Sequence, residues 1–512
     1  MPATAERMSR VDHAWLRMDS DVNLMTIVGV WLLRPALSHR ALCRRIEQRL
    51  LRYPRFRQKV LADARGARWV DDERFAIGRH VLHERLERRR GRSQREALQQ
   101  RCGELASTRL DPAHPLWQFH LIERYGGGSA VIVRVHHCIG DGIALTAVLM
   151  SITDGGEPPP QALPRDAAPH DAAPRDEGLG ASVLEPLRGL AGKAVELFDQ
   201  GLARSRAFAA QPRAGLRALA RSARRAAADV AALALMDDDA PTPLKGTPVG
   251  RKRVAWAEPV PLDVVKAVGK TLRASVNDVL LACVAGAIGG YLRDIGVDVA
   301  GKSVRAVVPV NLRPLHQAHQ LGNQFGLVPL LLPIGVDDPV ERVAAVHARM
   351  SELKDSWQPL LAFGVLALAG QLNEAGQRSL LDLFAKKATA VMTNMPGPPQ
   401  ALRLCGATLR QCIVWVPQTG NVAVGVSIFS YAGGVQFGLI ADAALCPEPQ
   451  RIVERFAPEL DKLLRRTRRL PRPAPAPPHG APSKATSKAP SKAPRKAPRK
   501  APRKAPRKAP RA

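Results

Sequence analysis

Residues 130–152, AVIVRVHHCIGDGIALTAVLMSI, change from a β-branched run through an Asp-Gly turn to apolar residues at helical spacing. A strand that leads directly into a helix requires a sheet against which the helix can pack. Strand-like and helical segments alternate again after about Thr247, for example VRAVVPVNL and then PVERVAAVHARMSELKDS. The segment LSHRALCRRIEQRLLRYPRFRQKV has apolar residues at helical spacing and is predicted to be helical. These patterns predict an α/β fold in which helices flank β-sheets.

A Pro- and Gly-rich stretch interrupts this alternation and marks a boundary. Residues 153–180, TDGGEPPPQALPRDAAPHDAAPRDEGLG, contain an imperfect PRDAAPHDAAPRD repeat that is typical of a linker. The Ala- and Arg-rich residues that follow are predicted to form basic helices, which either bridge two domains or lie on an anionic membrane. At 512 residues, the chain is long enough for two domains. We therefore predict an N-terminal domain (1–153), a linker with basic helices (154–246), a C-terminal domain (247–470) and a basic tail (471–512).

The positive charge is concentrated at the C-terminal end of the chain. The formal net charge is +30, and residues 481–512 contain twelve Lys and Arg without any Asp or Glu. Proline recurs there at short intervals, which prevents a helix, and almost nothing apolar is available to bury. The tail is therefore predicted to be disordered and cationic, and the folded part only moderately basic.

The cysteine pattern and the hydropathy indicate a cytoplasmic protein. The seven cysteines include no CxxC pair, and the opening residues MPATAERMSRVDHAW lack the features of a secretory leader. No run of about 18 consecutive apolar residues is present, so a membrane-spanning helix is not expected. Any contact with the inner membrane or with a lipid inclusion is therefore predicted to be peripheral.

Two adjacent histidines stand at the end of the predicted strand in residues 130–152. Side chains alternate along a strand, so His136 and His137 are expected to point to opposite faces. Taken alone, HHxxxDG is compatible with an ordinary βα turn in which Asp141 and Gly142 are turn formers. A zinc site is a weaker alternative, because the two histidines diverge and no further ligand has a familiar spacing. The sequence contains neither a GxSxG nucleophile elbow nor a phosphate-binding glycine loop.

A single histidine at a strand end can act as a general base, since its ordinary pKa is close to neutral pH. Such a base can take the proton of an alcohol as the alcohol attacks an activated acyl carbonyl. That chemistry requires a thioester or another activated acyl donor to be held beside the imidazole.

Several short motifs accompany HHCIGDG along the chain. They are PLW (115–117), ND (277–278), VPVNLR (308–313), GNQF (322–325) and TNMPGP (393–398), after the opening MSRVDHAWLRMDSDVNLM. Together they resemble the bacterial wax ester synthase/acyl-CoA:diacylglycerol acyltransferase family, which belongs to the chloramphenicol acetyltransferase-like superfamily. The resemblance runs in order from about Met8 to about Leu460, except in the linker.

The resemblance implies two chloramphenicol acetyltransferase-like domains, each a mixed sheet flanked by helices, with an active-site tunnel between them. The implied reaction transfers a long-chain acyl group from acyl-CoA to diacylglycerol or a long-chain alcohol, which forms triacylglycerol or wax ester. The coenzyme A thioester is a substrate. No metal, no other cofactor and no covalent acyl-enzyme are implied.

The resemblance also implies roles for the residues of HHCIGDG. His137 would take the alcohol proton and then protonate the departing CoA thiolate, while His136 would point into its own domain and support it. Asp141 would turn away from the substrate and pair with an arginine of the second domain, for which Arg313 is the candidate. Gly142, which has no side chain, would let the substrate approach the imidazole.

Four further residues receive roles from the other motifs. Asn277 would lie nearest the thioester from the second domain, and Asp278 would support its helix. Read without the resemblance, SVNDVLLA is a helix start in which Ser275 or Asn277 caps free N–H groups. Pro115 and Trp117 are expected to be structural, with the proline fixing a strand entry and the tryptophan packing.

Two alternative functions remain open from the sequence. A member of the same superfamily could acylate another hydroxyl or an amine. A nucleic-acid-binding protein would agree with the tail and with the isoelectric point of about 10.8. The folded part, however, shows no nucleic-acid-binding motif and few aromatic residues for base stacking, so nucleic acid is not the expected partner.

Overall fold

The computed structural model describes residues 5–63, 66–87, 90–156, 237–311, 321–354 and 387–469. Most of the predicted linker and basic helices, the predicted tail and Arg313 lie outside these ranges. The described helices are α1 Arg10–Arg17, α2 His39–Arg49, α3 Ile77–His80, α4 Gln94–Ala106, α5 Gly142–Ser151, α6 Leu262–Leu272, α7 Val276–Asp294, α8 Pro339–Lys354, α9 Pro449–Val453 and α10 Phe456–Arg469.

Strands alternate with these helices along the described residues. They are β1 Glu6–Arg7, β2 Thr26–Arg34, β3 Gln58–Asp63, β4 Gly66–Asp71, β5 Val81–Glu84, β6 Trp117–Tyr125, β7 Gly128–His136, β8 Lys252–Trp256, β9 Val260–Pro261, β10 Val304–Asn311, β11 Phe325–Leu332, β12 Ala390–Pro396, β13 Arg403–Leu404, β14 Ala407–Trp415, β15 Val424–Tyr431 and β16 Gly434–Asp442.

Two large mixed sheets organise this part of the chain. The first has the order β13-β14-β2-β7-β6-β5, in which β5 and β6 run parallel and the other neighbours antiparallel. The second has the order β11-β10-β12-β15-β16-β8, with β9 paired to β16, and β12 runs parallel to both of its neighbours. A small sheet, β1-β4-β3, accompanies them. The predicted α/β class with mixed sheets and flanking helices is confirmed.

Two strands of the predicted C-terminal domain (the second half), β13 and β14, belong to the sheet of the predicted N-terminal domain (the first half). Ala407–Trp415 belongs to the predicted C-terminal domain, yet it pairs antiparallel with Thr26–Arg34 in the first sheet. The sequence pattern of a strand specifies which of its faces is buried, but it does not specify the neighbour. The sequence division into 1–153 and 247–470 therefore does not anticipate that the first sheet is extended by strands of the second half.

A second difference concerns the predicted helix over LSHRALCRRIEQRLLRYPRFRQKV. Helix α2 begins after the Ser38 cap and ends at Arg49, and two short 3-10 turns follow, the second of them Pro54–Phe56. Gln58 then begins strand β3. Proline disrupts the interior of a helix but is accepted in its first turn, so Pro54 starts a new turn instead of continuing the old one.

Helix α7 lies at the centre of the hydrophobic core that covers the second sheet. Ser275 and Asp278 form a capping box at its start, and almost every residue from Asp278 to Leu292 is buried. The helix has the length and apolar composition of a membrane-crossing segment, but 78% of its most apolar stretch is buried inside the protein. This burial is typical of the central helix of a globular domain.

Candidate active site

A largely apolar cavity of about 340 Å³ lies between the two sheets. Alternate residues of strands from both sheets point into it, because side chains two apart on a strand share a face. From the first sheet these include Ile27, Gly29, Trp31, Val133 and Val135, and from the second sheet Arg305, Val307, Pro309, Asn311, Phe325, Leu327 and Pro329. Helix α5 adds Gly142, Leu145 and Leu149.

His137 lines this cavity directly after strand β7. Its backbone N–H donates to the Met25 carbonyl at 2.7 Å. The imidazole stacks on Trp15, with ring centroids 4.1 Å apart and planes 11° apart. Burial lowers the pKa of His137 to about 4, so the ring is neutral at physiological pH.

His136 is buried on the opposite side of the strand. Its Nδ1 accepts the backbone N–H of Cys138 at 3.1 Å, and its Nε2 lies 3.3 Å from Asp19 Oδ1. Asp19 also accepts a hydrogen bond from Arg109 at 3.0 Å and lies in the same half of the molecule. The two histidines therefore have separate surroundings, and His137, not His136, faces the cavity.

Asp141 begins helix α5 as its N-cap. Its Oδ1 accepts the backbone N–H of Ala144 at 2.9 Å, and its Oδ2 accepts that of Gln324 at 3.1 Å. These bonds join the turn after His137 both to its own helix and to the second half of the molecule. The predicted partner, Arg313, lies outside the described residues, so that pairing stays a prediction.

Gly142 packs closely against Met395 of the second half. A Cβ at this position would lie 3.0 Å from Met395 Sδ, which is closer than ordinary packing allows. The absence of a side chain at Gly142 therefore makes room for Met395. This close approach adds a structural reason to the predicted one, which is access of the substrate to the imidazole.

The GNQF segment of the second half docks on the turn that follows His137. The Gly322 N–H donates to the Ile139 carbonyl at 3.2 Å, and the Asp141 N–H donates to the Gly322 carbonyl at 3.3 Å. Gly322 has a φ of +110°, which an L side chain rarely adopts. This conformation directs the next residue, Asn323, at His137, whose Nδ1 lies 2.9 Å from Asn323 Oδ1.

Asn323 was not singled out by the sequence reasoning, although it stands in GNQF. The sequence feature that could have pointed to it is an Asn that follows a Gly just before a strand-like run. Its contact with His137 spans 186 positions in sequence and could not be derived from spacing.

The ND pair lies at the start of helix α7. Asn277 is exposed, is not among the cavity-lining residues described above, and accepts a hydrogen bond from Asn394 Nδ2 at 2.8 Å. Asn394 lines the cavity, so Asn277 is linked to the site indirectly, by its hydrogen bond with Asn394. The cap is Ser275, and Asp278 supports the helix by accepting the Ser275 N–H at 2.8 Å. The position of Asn277 relative to a thioester stays a prediction.

The PLW residues lie apart from the described cavity lining. Pro115 is buried immediately before strand β6. Trp117 is fully buried, and its Nε1–H donates to the Phe56 carbonyl at 2.9 Å. A buried tryptophan with a satisfied N–H is typical of a packing residue, while the role of Pro115 in fixing the strand entry stays a prediction.

The geometry around His137 suits proton transfer at an apolar site. A neutral imidazole, held by a ring stack and a side-chain hydrogen bond, faces a cavity large enough for part of a lipid chain. Among the described residues, no group of three or more His, Cys, Asp or Glu side chains could hold a metal ion. A neutral imidazole beside an apolar cavity is suited to take a proton from a lipid hydroxyl.

Comparison with known proteins finds acyltransferases and, among solved structures, also a condensation domain. The probable diacylglycerol O-acyltransferase tgs1 of Mycobacterium tuberculosis is 27% identical over 416 residues, which cover 80% of this chain and 84% of that protein. The solved wax ester synthase/diacylglycerol acyltransferase of Marinobacter aquaeolei VT8 superposes with a TM-score of 0.60 at 21% identity, covering 90% of this chain and 99% of that one. The first condensation domain of the CDA synthetase superposes with a TM-score of 0.53 at 17% identity, covering 89% and 96%.

The structural matches show a shared two-domain fold, and two family models define the family. The wax ester synthase/diacylglycerol acyltransferase catalytic domain matches residues 8–280, and the C-terminal domain of the same family matches residues 321–464. The catalytic model alone spans more than half of the chain and includes His136, His137 and Asp141. The chain therefore belongs to the wax ester synthase/diacylglycerol acyltransferase family.

Proposed function

We propose that the protein transfers a long-chain acyl group from acyl-CoA to diacylglycerol or a long-chain alcohol. The products are triacylglycerol or wax ester together with free coenzyme A. The observation that carries this proposal is the neutral His137 imidazole at the wall of an apolar cavity between the two sheets. Coenzyme A enters as the thioester substrate, and no resident cofactor takes part.

The reaction balances with His137 as the only proton carrier. The acceptor hydroxyl gives its proton to Nε2 while its oxygen attacks the thioester carbonyl, and a new C–O bond forms. The tetrahedral intermediate then expels the thiolate as the C–S bond breaks. The imidazolium returns the proton to sulfur, so the neutral base is restored.

The apolar cavity explains how a long chain is held. Burial of a methylene contributes about 0.8 kcal/mol, so a sixteen-carbon chain contributes on the order of 10 kcal/mol when fully buried. Chains that differ by one methylene therefore differ in binding by only about 0.8 kcal/mol. We therefore expect a broad preference for acyl chain length.

A second candidate is acylation of a different hydroxyl or an amine. The observation that favours it is the likeness to a condensation domain, which has the same fold. Purified protein with palmitoyl-CoA should be given hexadecanol, dioleoylglycerol or hexadecylamine, and both CoA release and the acylated product should be measured. Ester formation that is lost in His137→Ala supports the proposal, whereas acylation of the amine alone would favour the second candidate.

The proposed location is the cytoplasmic surface of the inner membrane or of lipid inclusions. The last turns of helix α10 expose Arg465, Arg466, Arg468 and Arg469, and the chain continues into the tail, whose residues 481–512 contain twelve Lys and Arg. Each basic residue near an anionic lipid surface contributes up to about 1 kcal/mol. Such contact would keep the enzyme beside acceptors and products that do not dissolve in water.

A further inference from the structure

We propose that Asn323 and Asp12 are positioning residues that hold His137 in the tautomer needed for catalysis, with the proton on Nδ1 and the lone pair on Nε2. The inference rests on the proposed function, because it assigns the reacting nitrogen of the same base. It concerns two residues outside HHCIGDG, one from the N-terminal helix and one from the second half of the chain.

The hydrogen bonds of Asn323 determine which way its amide faces. Its Nδ2 lies 2.7 Å from Asp12 Oδ1 and 2.8 Å from the His137 backbone carbonyl oxygen. The carbonyl can only accept, and Asp12 Oδ1 already accepts the Asn323 backbone N–H at 3.0 Å. Both neighbours therefore require the NH₂ group on their side, and the amide oxygen must face the imidazole.

The amide orientation in turn determines the protonation of the ring. Asn323 Oδ1 lies 2.9 Å from His137 Nδ1 and can only accept a hydrogen bond, so Nδ1 must carry the proton. In a neutral imidazole the other nitrogen, Nε2, then has the free lone pair. This is the nitrogen that must be unprotonated for His137 to act as a base.

Burial makes this arrangement costly to lose. Asp12, His137 and Asn323 are 4%, 6% and 5% exposed, so water cannot replace a lost partner at low cost. Asp12 and Trp15 lie three residues apart on helix α1 and therefore on one face of it. One face of α1 thus supplies both the ring that stacks on His137 and the carboxylate that orients Asn323.

The first test is spectroscopic and needs no substrate. The ¹⁵N shifts of the imidazole nitrogens in histidine-labelled protein distinguish the two neutral tautomers, and His137→Gln identifies the signals of His137. We expect His137 of the unaltered protein to be protonated at Nδ1 between pH 6 and 8. A His137 ring protonated at Nε2 would refute the inference, whether or not the protein acylates alcohols.

The second test separates positioning from folding. Asn323→Leu removes the acceptor, and we expect kcat to fall on the order of 10²-fold with KM for acyl-CoA changed less than about twofold. Gln324→Ala is the matched control, because its side chain is exposed and its backbone N–H is retained. An Asn323→Leu protein that keeps the kcat of the control would contradict the inference.

A pair of substitutions at Asp12 tests its contact with Asn323. Asp12→Asn keeps an oxygen that can accept both Asn323 N–H groups, so we expect the Nδ1-protonated tautomer to persist and kcat to fall less than about tenfold. Asp12→Leu removes the acceptor and frees the amide to turn, so we expect mixed tautomers and a loss similar to that of Asn323→Leu. Loss of kcat in Asp12→Leu with an unchanged tautomer would show a merely structural role.

Discussion

At the scale of single residues, burial away from water determines the protonation state of the His137 imidazole. Burial disfavours the charged form of His137, and the stack on Trp15 limits its rotation. His136 stands next to it in sequence but contacts Asp19 and the Cys138 backbone instead of the cavity. Two identical side chains therefore have different surroundings because strand geometry sends them to opposite sides.

The first prediction compares these two histidines. His137→Ala should leave the protein folded but lower kcat by about 10² to 10⁴, the usual contribution of a general base. His136→Ala should lower kcat less, because His136 does not reach the cavity. CoA release followed with a thiol reagent measures both variants, and near-wild-type rates for His137→Ala would remove His137 from the mechanism.

The second prediction concerns the pH dependence of the same base. Because burial lowers the pKa of His137 to about 4, the basic form is present above that pH and is lost as pH falls through it. The logarithm of kcat/KM should therefore stay level from about pH 7 to pH 5 and fall only below that, while tryptophan fluorescence confirms that the protein remains folded. A fall centred at the ordinary histidine pKa, about 6.5, would show that water reaches the imidazole of the free enzyme.

The third prediction concerns Asp141, whose carboxylate joins two segments. In Asp141→Asn one oxygen becomes an NH₂ group, which cannot accept a backbone N–H from Ala144 or Gln324. Loss of a hydrogen bond to a charged group costs about 1.5 to 3 kcal/mol, so both the melting temperature and kcat should fall. If the variant melts like the wild type yet is inactive, Asp141 has a direct chemical role instead.

At the scale of elements, helix α7 shows how small residues allow close packing around a buried charge pair. Arg342 Nη1 donates to Glu459 Oε2 at 2.6 Å, and both side chains are almost completely buried. Nε and Nη2 of Arg342 donate to the Val336 and Asp337 carbonyls. This pair lies directly against Gly286 of α7, where a side chain would overlap with both partners.

The fourth prediction tests that packing. Gly286→Ala places a methyl group where Arg342 and Glu459 lie, so the buried pair must separate, which costs about 3 to 5 kcal/mol. Gly290→Ala in the same helix is the matched control, because its Cβ would meet only the flexible Arg455 side chain at 3.3 Å. Denaturant unfolding should show a large loss for Gly286→Ala and a small change for the control. Equal losses of unfolding free energy in the two variants would show that the effect arises from the helix backbone and not from the charge pair.

At the scale of the whole molecule, the candidate site belongs to neither half alone. His137 and the turn after it come from the first half, and Asn323, Met395 and much of the cavity wall come from the second. Strand β14 extends the first sheet from the C-terminal part of the chain. Buried Lys252 donates to Asn23 Oδ1 at 2.7 Å and adds a polar contact between the two parts. Separate expression of either predicted domain would therefore remove part of the site.

The fifth prediction concerns the basic tail. Truncation after Leu470 removes the twelve Lys and Arg of residues 481–512 but no residue of the described site. Turnover on detergent-solubilised acceptor should stay unchanged, while binding to liposomes that contain anionic lipid should weaken and lose its dependence on salt. Binding that is equally strong at low salt without the tail would contradict the proposed tether, and retention of the full chain on DNA alone would favour nucleic acid as its partner.

The amino-acid sequence by itself determined the α/β class, most strands and helices, the opposite faces of His136 and His137, and the family. These properties follow from local periodicity, from turn residues and from short motifs in a fixed order, all of which can be read within a few residues. Tertiary structure alone decided that Ala407–Trp415 joins the first sheet and that Asn323 and Asp12 hold His137. Both arrangements depend on contacts between residues that lie at least 186 positions apart in the sequence. A strand presents the same pattern whichever neighbour it pairs with, and an asparagine presents the same amide whichever histidine it faces. Only the packing of the two halves selects the partner.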